Sequence, residues 1–414
     1  MTLGIHQKPI VCTIFALTYL GIAVGHVPHL KLNRVGIALL GAIAMMVCAG
    51  SSAADTATWV NWPVIFLLFG FFVLSAQLRL SGFYGWVARW MADRLGAPAQ
   101  VLAVVMVMAA GLSAFLNNDI VCYVFTPVVA ATLIARKLNP APFLIALAMA
   151  SNLGAAFTLI GNAQGMLIGE VAHLSFSKYL VWSFPPVAGA LAFAYLLVRW
   201  RLRRQRPEEF RPVGADSDDQ PRPFDRRHTV KGLVIFGAVV ALFFTRIPKE
   251  VVVLVAAGIH LASPKFRTED LLALVDWPIL VLFMSLFIVT GAFAATGYPG
   301  QMVGWLTGIG FAPTRLGNEA VLTAGLTALM NNAPAVMLLL KLVPVTQPSA
   351  AYVLALANSF GGNVILTASV ANLIVVQQAR RQGVVITFGE FARIGVPVTL
   401  AGLAVLSAWA ALAG

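Results

Sequence analysis

The chain has 414 residues, of which 59% are hydrophobic and only 11% charged, with a mean hydropathy of +0.86. Soluble domains carry about 25% charged residues, so this composition excludes an ordinary water-soluble protein and points to a chain that meets lipid along most of its length. The net charge of +12 would suggest a nucleic-acid partner in a soluble protein; none is expected here, because the basic residues collect in short connections between apolar stretches, as the positive-inside rule requires.

In chain order, apolar spans are predicted near residues 9–28, 34–50 and 62–80, close to the roughly 20 residues that cross a bilayer. The first is read as a retained helix, since no A-x-A-like cleavage site follows it. "SGFYGWVARWMADRL" is amphipathic and predicts an interfacial helix. An apolar pair, 99–115 and 120–136, then flanks a polar trio, Asn117, Asn118 and Asp119. Arms this short suit a hairpin that enters and leaves by one face, and a broken backbone at membrane depth is tolerated only inside protein or beside a watery cavity. An interrupted span follows over 142–174, broken near "GNAQG", and then a final span over 178–198.

Residues 199–231 are hydrophilic, charged and Pro-containing, and are read as a linker outside the membrane. After it the pattern repeats. "VNWPVIFLLFGFFVLS" at 60 returns as "VDWPILVLFMSLFIVT" at 275, "LSAFLNND" at 112 as "LTALMNNA" at 326, and "SNLGAAFTLIGNAQGMLI" at 151 as "SFGGNVILTASVANLIV" at 359, in one order and at offsets of roughly 207 to 215 residues. The expected fold is all-α and integral to the membrane: two inverted repeats, 1–198 and 232–414, each with five transmembrane spans, one re-entrant hairpin and one broken helix. Five crossings per half is an odd number, so the second half inserts upside down. Lys31, Arg34, Arg79, Arg89, Arg94, Arg136, Lys137, Arg380 and Arg381 then fall inside with a cytoplasmic 199–231 linker, and both termini lie outside. The expected location is the inner membrane of a bacterium.

Inverted repeats whose broken helices meet near mid-bilayer are secondary-transporter architecture. An intramembrane carboxylate is a functional hypothesis by default, and Asp119 is the expected carrier of proton or cation coupling; the alternative is that it only caps the second arm of its hairpin. Ser113, Asn117, Asn118 and carbonyls around Gly161 form one candidate oxygen cage, and Thr327, Asn331, Asn332 and the carbonyl near Ala368 its counterpart. Oxygen suits a hard cation, so sodium is a candidate ligand of Asn117, Asn118, Asn331 and Asn332. Apart from such sodium ions no cofactor is expected. The alternative for the asparagines is hydrogen bonding between helices. Thr158, Asn162 and Gln164 at the first break, with Thr367, Ser369 and Asn372 at the second, complete a candidate substrate cavity together with Asn118 and Asn332. Glu170, Glu319 and Glu390 fall at predicted span ends and are read as solvated charges, and Lys341 as a residue that snorkels to the surface. Cys12, Cys48 and Cys122 have no metal or redox spacing, and His26 and His29 are read as interfacial.

The tip "LNNDIVCYVFTPV", the break "SNLGAAFTLIGNAQGMLIG" and "GGNVILTASVANLIV" resemble the ion transporter superfamily, chiefly its arsenite-permease and sodium/proton-antiporter branch of anion-permease-like proteins, and more loosely the sodium-coupled di- and tricarboxylate symporters. The resemblance implies a homodimer with a fixed scaffold and a mobile transport domain that works as an elevator. In the carboxylate symporters sodium sits at a Ser-Asn-Thr tip; the tips here, Asn117-Asn118-Asp119 and Asn331-Asn332-Ala333, keep only the middle Asn, which favours the branch with an acidic tip. "GNAQG" also departs from relatives that carry prolines there and an Asn at the last position.

The leading reading is a secondary transporter in contact with membrane lipid that moves a small anion, an oxyanion or a carboxylate, coupled to protons or sodium. A sodium/proton antiporter is the alternative. A channel is a third reading, opposed by the lack of anything like a selectivity ring. An enzyme is not expected, since the sequence has no HExxH, no GxSxG and no paired intramembrane acids.

Overall fold

The computed structural model describes residues 7–25, 32–49, 52–92, 97–204, 223–343, 345 and 347–413. His26, His29, Lys31, Arg94 and residues 205–222 of the linker lie outside the described residues. The first half runs α1 (Gln7–Val24), α2 (Arg34–Ala49), α3 (Ala53–Trp59), α4 (Trp62–Leu80), α5 (Phe83–Ala92), α6 (Pro98–Phe115), α7 (Asn118–Ala135), α8 (Ala141–Ala155), α9 (Ala163–Val171) and α10 (Phe176–Arg204). The second runs α11 (Arg226–Leu242), α12 (Lys249–Leu261), α13 (Thr268–Leu272), α14 (Trp277–Ala295), α15 (Tyr298–Gly308), α16 (Leu316–Met330), α17 (Asn332–Leu342), α18 (Pro348–Gly361), α19 (Val370–Arg381) and α20 (Phe388–Ala413). Helix for helix, the second list repeats the first.

Local chemistry sets many of these boundaries. Asn61 and Asp276 occupy matching positions and cap α4 and α14, each accepting from a backbone N–H at 3.1 Å, that of Val64 or Ile279, and a proline follows in each first turn, where its missing N–H costs nothing. The linker is shorter than its composition suggests, because α10 continues to Arg204 and α11 begins at Arg226. The short helices α3 and α13 were not expected; they precede α4 and α14 at equivalent points.

Seven described helices, α1, α4, α6, α7, α10, α14 and α20, are long and apolar enough to cross a membrane. Large apolar side chains such as Val47, Val107 and Leu412 stand on the outer surface, as in a protein that lipid surrounds. Others are shorter. The 15 residues of α16 and 11 of α17 reach about 22 Å and about 16 Å, too little for the ~30 Å hydrocarbon core.

Packing repeats when the halves are exchanged. α4 packs on α12 and α14 on α2; α6 packs on α8 and α16 on α18; α10 and α20 pack on each other. The hairpin seats show why. A methyl group on Gly154 would stand 2.3 Å from the Cα of Ala110, and one on Gly361 would stand 2.8 Å from the Cα of Ala324. Small residues facing each other let each hairpin arm lie directly against its broken helix.

Candidate functional site

The first tip is two residues long. Leu116 and Asn117 leave α6 with non-helical dihedrals, and the Asn117 side chain turns back to accept from the backbone N–H of Asp119 at 2.8 Å and of Ile120 at 3.4 Å. Asn117, not Asp119, therefore caps α7. The Asp119 carboxylate is free of that duty, and among the described residues it makes no hydrogen bond or ion pair. It is partly buried.

Two contacts fasten this tip to the first break. Ser113 Oγ and Ser151 Oγ lie 2.8 Å apart, and Ser151 donates onward to the Asn118 carbonyl at 3.1 Å. The Thr158 hydroxyl donates to the Ala114 carbonyl. The chain between α8 and α9 then passes so near the hairpin that a Cβ on Gly161 would meet the Ser113 carbonyl at 2.5 Å; only glycine admits that approach. Asn162 caps α9 through the Gly165 N–H at 2.7 Å.

The second tip turns in a single residue. Asn331, at φ 78° and ψ 164°, occupies a region that side chains rarely adopt; its side chain accepts from the Asn332 N–H at 2.8 Å and donates to the Thr367 carbonyl at 3.3 Å. Asn358, which matches Ser151, donates to Thr327 Oγ1 at 2.9 Å and to the Asn332 carbonyl at 3.0 Å. The same bridge thus fastens both tips, with an amide in place of a hydroxyl.

The two breaks are tied to each other across the halves. Asn162 Nδ2 donates to Ser359 Oγ at 3.1 Å, and Ser369 Oγ donates to Asn152 Oδ1 at 3.0 Å. Asn162 and Ser369 occupy matching positions, as do Asn152 and Ser359, so one contact is made twice with the halves exchanged. Asn152 also donates to Asn363 at 2.9 Å and to Asn372 at 3.0 Å, and its oxygen receives Asn118 Nδ2 at 3.4 Å. Asn372 in turn donates to the Gly362 carbonyl at 2.8 Å.

Four helix N-termini, those of α7, α9, α17 and α19, begin at this cluster. Those of α7 and α9 open onto a small cavity, lined by Asn117, Gly161 and Asn162 on one side and by Phe71, Ser75 and Phe236 on the other. Helix N-termini and amide N–H groups favour anions. In the second half, by contrast, the hairpin is packed against α1 and α14, and Tyr19 donates to the Pro334 carbonyl at 3.2 Å. There the buried oxygens of Asn332 and Asn358 accept nothing from the protein. Acceptors held out of water without donors fit a small hard cation such as sodium.

Of the expected residues, Ser113, Asn118, Thr158, Asn162, Thr327, Asn331, Asn332, Ser369 and Asn372 are buried and, with Asn117, Asp119, Gly161 and Ala368, belong to the tips and breaks. Gln164 and Thr367 are looser: Gln164 is half-buried with no hydrogen bond among the described residues, and Thr367 is exposed and contributes its carbonyl. Sequence reasoning did not single out Ser151, Asn152, Asn358, Ser359 and Asn363, which bind the centre together. Their signal was present, since "SN" at 151 and "NS" at 358 stand about one turn before each break. Glu319 corrects an expectation outright. It is fully buried at 0% exposure rather than solvated, because α1, α17, α18 and α20 surround its helix. Glu390 and Lys341 are exposed, as expected, and Glu170 is half-buried.

Comparison with known proteins places this geometry. The profile of the citrate transporter family matches residues 19–361. An uncharacterized transporter of Mycobacterium tuberculosis is 31% identical over 96% of this chain and 97% of its own length. The silicon efflux transporter LSI3 of Oryza sativa is 26% identical over 90% of this chain and 91% of its own. Among solved structures, the Alcanivorax borkumensis YdaH transporter superposes with a TM-score of 0.60 at 14% identity, covering 98% of both chains, which speaks for the fold alone. The ion-transporter resemblance of the tips and breaks is thereby borne out, and the chain belongs to the citrate transporter family, as an all-helical, multi-pass membrane transporter.

Proposed function

We propose that this protein is a secondary active transporter that moves a small anion, of oxyanion or carboxylate type, in exchange for or together with protons or sodium. The observation that carries the reading is the cavity onto which the N-termini of α7 and α9 open. Two helix dipoles and the amides of Asn117 and Asn162 offer an anion donors on one side, while Phe71 and Phe236 shape the other. The names of relatives agree with a small solute, since the family is described by citrate and one relative by silicon efflux.

Asp119 is the coupling group in this reading. Its carboxylate, two residues past the Asn117 that lines the anion cavity, has no protein partner among the described residues, so a proton or a cation on it offsets the charge of the cargo. Sodium, where it takes part, would be held by the orphaned oxygens of Asn332 and Asn358, with Asn331 beside them; in the first half Asn117 and Asn118 are the corresponding ligands. Sodium there supplies a positive charge that ties tip to break. Asn152 and Asn372 hold the two breaks as one body.

Alternating access follows from the unequal seating of the hairpins. The second is closed against α1 and α14, and the first faces α4 and α11 across the cavity. A shift of α6–α9 and α16–α19 together would exchange these situations, as an elevator does. We take the repeats as inverted in the membrane, the linker as cytoplasmic, both termini as outside and the membrane as a bacterial inner membrane, on the distribution of Lys and Arg. The homodimer rests on the family resemblance.

The test is proton movement in proteoliposomes that carry a pH-sensitive dye, with wild type and Asp119→Asn in parallel. Silence on adding sodium or lithium, then a response to an oxyanion or carboxylate, is expected. A full response to the cation alone makes the protein a sodium/proton antiporter instead.

A further inference from the structure

Glu319 lies in the first arm of the second hairpin, 12 positions before the Asn331 tip, with 0% exposure. Among the described residues neither of its carboxyl oxygens has a hydrogen-bond partner, and the same is true of the hydroxyl of Thr323, one turn further along the same face and equally buried. The charged and titratable groups on the elements packed against α16 do not answer it. These are Lys8, Cys12 and Tyr19 on α1, Lys341 on α17, Tyr352 on α18, and Glu390 and Arg393 on α20, with Arg315 at the start of α16 itself; none forms a hydrogen bond or ion pair with Glu319.

Packing does not require an acid at this place. The equivalent positions of the first hairpin are Val105 and Ala109, both fully buried, and that arm seats against its broken helix in the same way. Three buried oxygens therefore stand where the duplicated scaffold is content with methyl groups. An ionised carboxylate without partners is strongly disfavoured in such surroundings, which is answered when a proton neutralises it. The α16 N-terminus one turn away favours the negative form whenever solvent reaches the group, so the proton can leave as well as arrive.

We propose that Glu319, with Thr323 beside it, is a second proton-binding site of this transporter, set in the hairpin arm away from the Asp119 tip. The step is simple protonation: the carboxylate takes one proton from the aqueous phase, becomes an undissociated acid while the hairpin is closed, and returns the proton when it is exposed. Only the use of that proton to drive transport rests on the function proposed above; the occupancy of the site does not.

The decisive experiment is infrared difference spectroscopy of the purified full-length protein at neutral pH, in light and heavy water, for wild type, Glu319→Gln and Asp119→Asn. The expected result is the carbonyl stretch of an undissociated acid, shifted in heavy water, present in wild type and Asp119→Asn and missing from Glu319→Gln. A band that survives unchanged in Glu319→Gln, or a wild type without one, overturns the proposal. Should Glu319→Gln not fold, Glu319→Asp keeps the carboxyl and must move the band; an unmoved band is equally fatal. Because this readout needs no substrate, a failed transport assay would leave it standing, and the reverse also holds.

Discussion

The first hairpin turns through Leu116 and Asn117 beside a cavity and opens its second arm with Asn118 and Asp119, whereas the second turns through Asn331 alone, opens with Asn332 and Ala333, and is closed against α1 and α14. Both use the same bridge to the broken helix and the same small-residue seat. What differs is where each keeps its carboxyl group: at the tip in the first, buried in the opening turn of the first arm, far from the tip, in the second. A duplicated scaffold has thus kept its mechanical contacts and distributed its acids unequally, which separates what holds the hairpins from what they carry.

The strongest way to break this comparison is to exchange the acids. Asp119→Asn should abolish accumulation driven by a pH gradient while the protein still elutes as a folded species; gradient-driven uptake at the wild-type level would remove Asp119 from coupling. Placing the acid on the other tip, Ala333→Asp, buries an unpaired charge at a position only 4% exposed, and a loss of about 3–5 kcal/mol is expected, read as a collapse in yield of folded protein.

The seats come next. Gly154→Ala drives a methyl group against the backbone of Ala110, and Gly361→Ala against that of Ala324 with half an ångström more room. Both should lower the thermal midpoint in detergent, by an amount within the ~1–3 kcal/mol of overpacking, with Gly154 the worse of the two. Equal effects would mean that the two seats do not differ as drawn.

A smaller change should act in the opposite direction. Asn331→Gly relieves the positive φ of the second tip, a gain of about 1 kcal/mol, but gives up the contact with the Thr367 carbonyl. Thermal stability at or above wild type, with weaker sodium dependence, is expected; a stability loss beyond about 1 kcal/mol would show that the contact outweighs the strain.

The least effect lies at the corner where α11 docks on the first half. Asp225 donates its N–H to the Ser81 carbonyl at 2.9 Å, and Phe224 stacks on Trp86 with ring centroids 5.0 Å apart. The backbone N–H of His228 holds the Asp225 carboxyl below the usual carboxylate range, helped by the His228 side chain and Lys265. Folded lower than unfolded means that this contribution is present above the ordinary carboxylate value of about 3.9 and is lost as pH falls through the folded one. Trp86 fluorescence should change in that acidic window and lose the transition in Asp225→Asn.

Much of this was legible in the sequence, for reasons that particular residues make plain. "NWP" and "DWP" mark helix starts because Asn61 and Asp276 cap and Pro63 and Pro278 fit the first turn; "NND" and "NNA" mark tips because amides that close a turn cannot sit in lipid. The capping of α7 by Asn117 rather than Asp119 was not legible, since both residue types cap and only the turn geometry chooses. Nor was the burial of Glu319, whose neighbours in sequence, Arg315 and Asn318, look like a solvated end; what covers it comes from α1, α17, α18 and α20, far along the chain. The partners of Asn162 and Ser369 lie about 200 residues away for the same reason.

Those exchanged bonds have a consequence for chimeras. Asn162 and Ser369 hold matching positions of the two halves, and so do Asn152 and Ser359. Each present contact pairs one Asn with one Ser, and the Asn comes from a different member of the pair in each. Each bond thus takes one partner from each half, so a chimera that joins the first half of one relative to the second half of another should fail first at these two bonds.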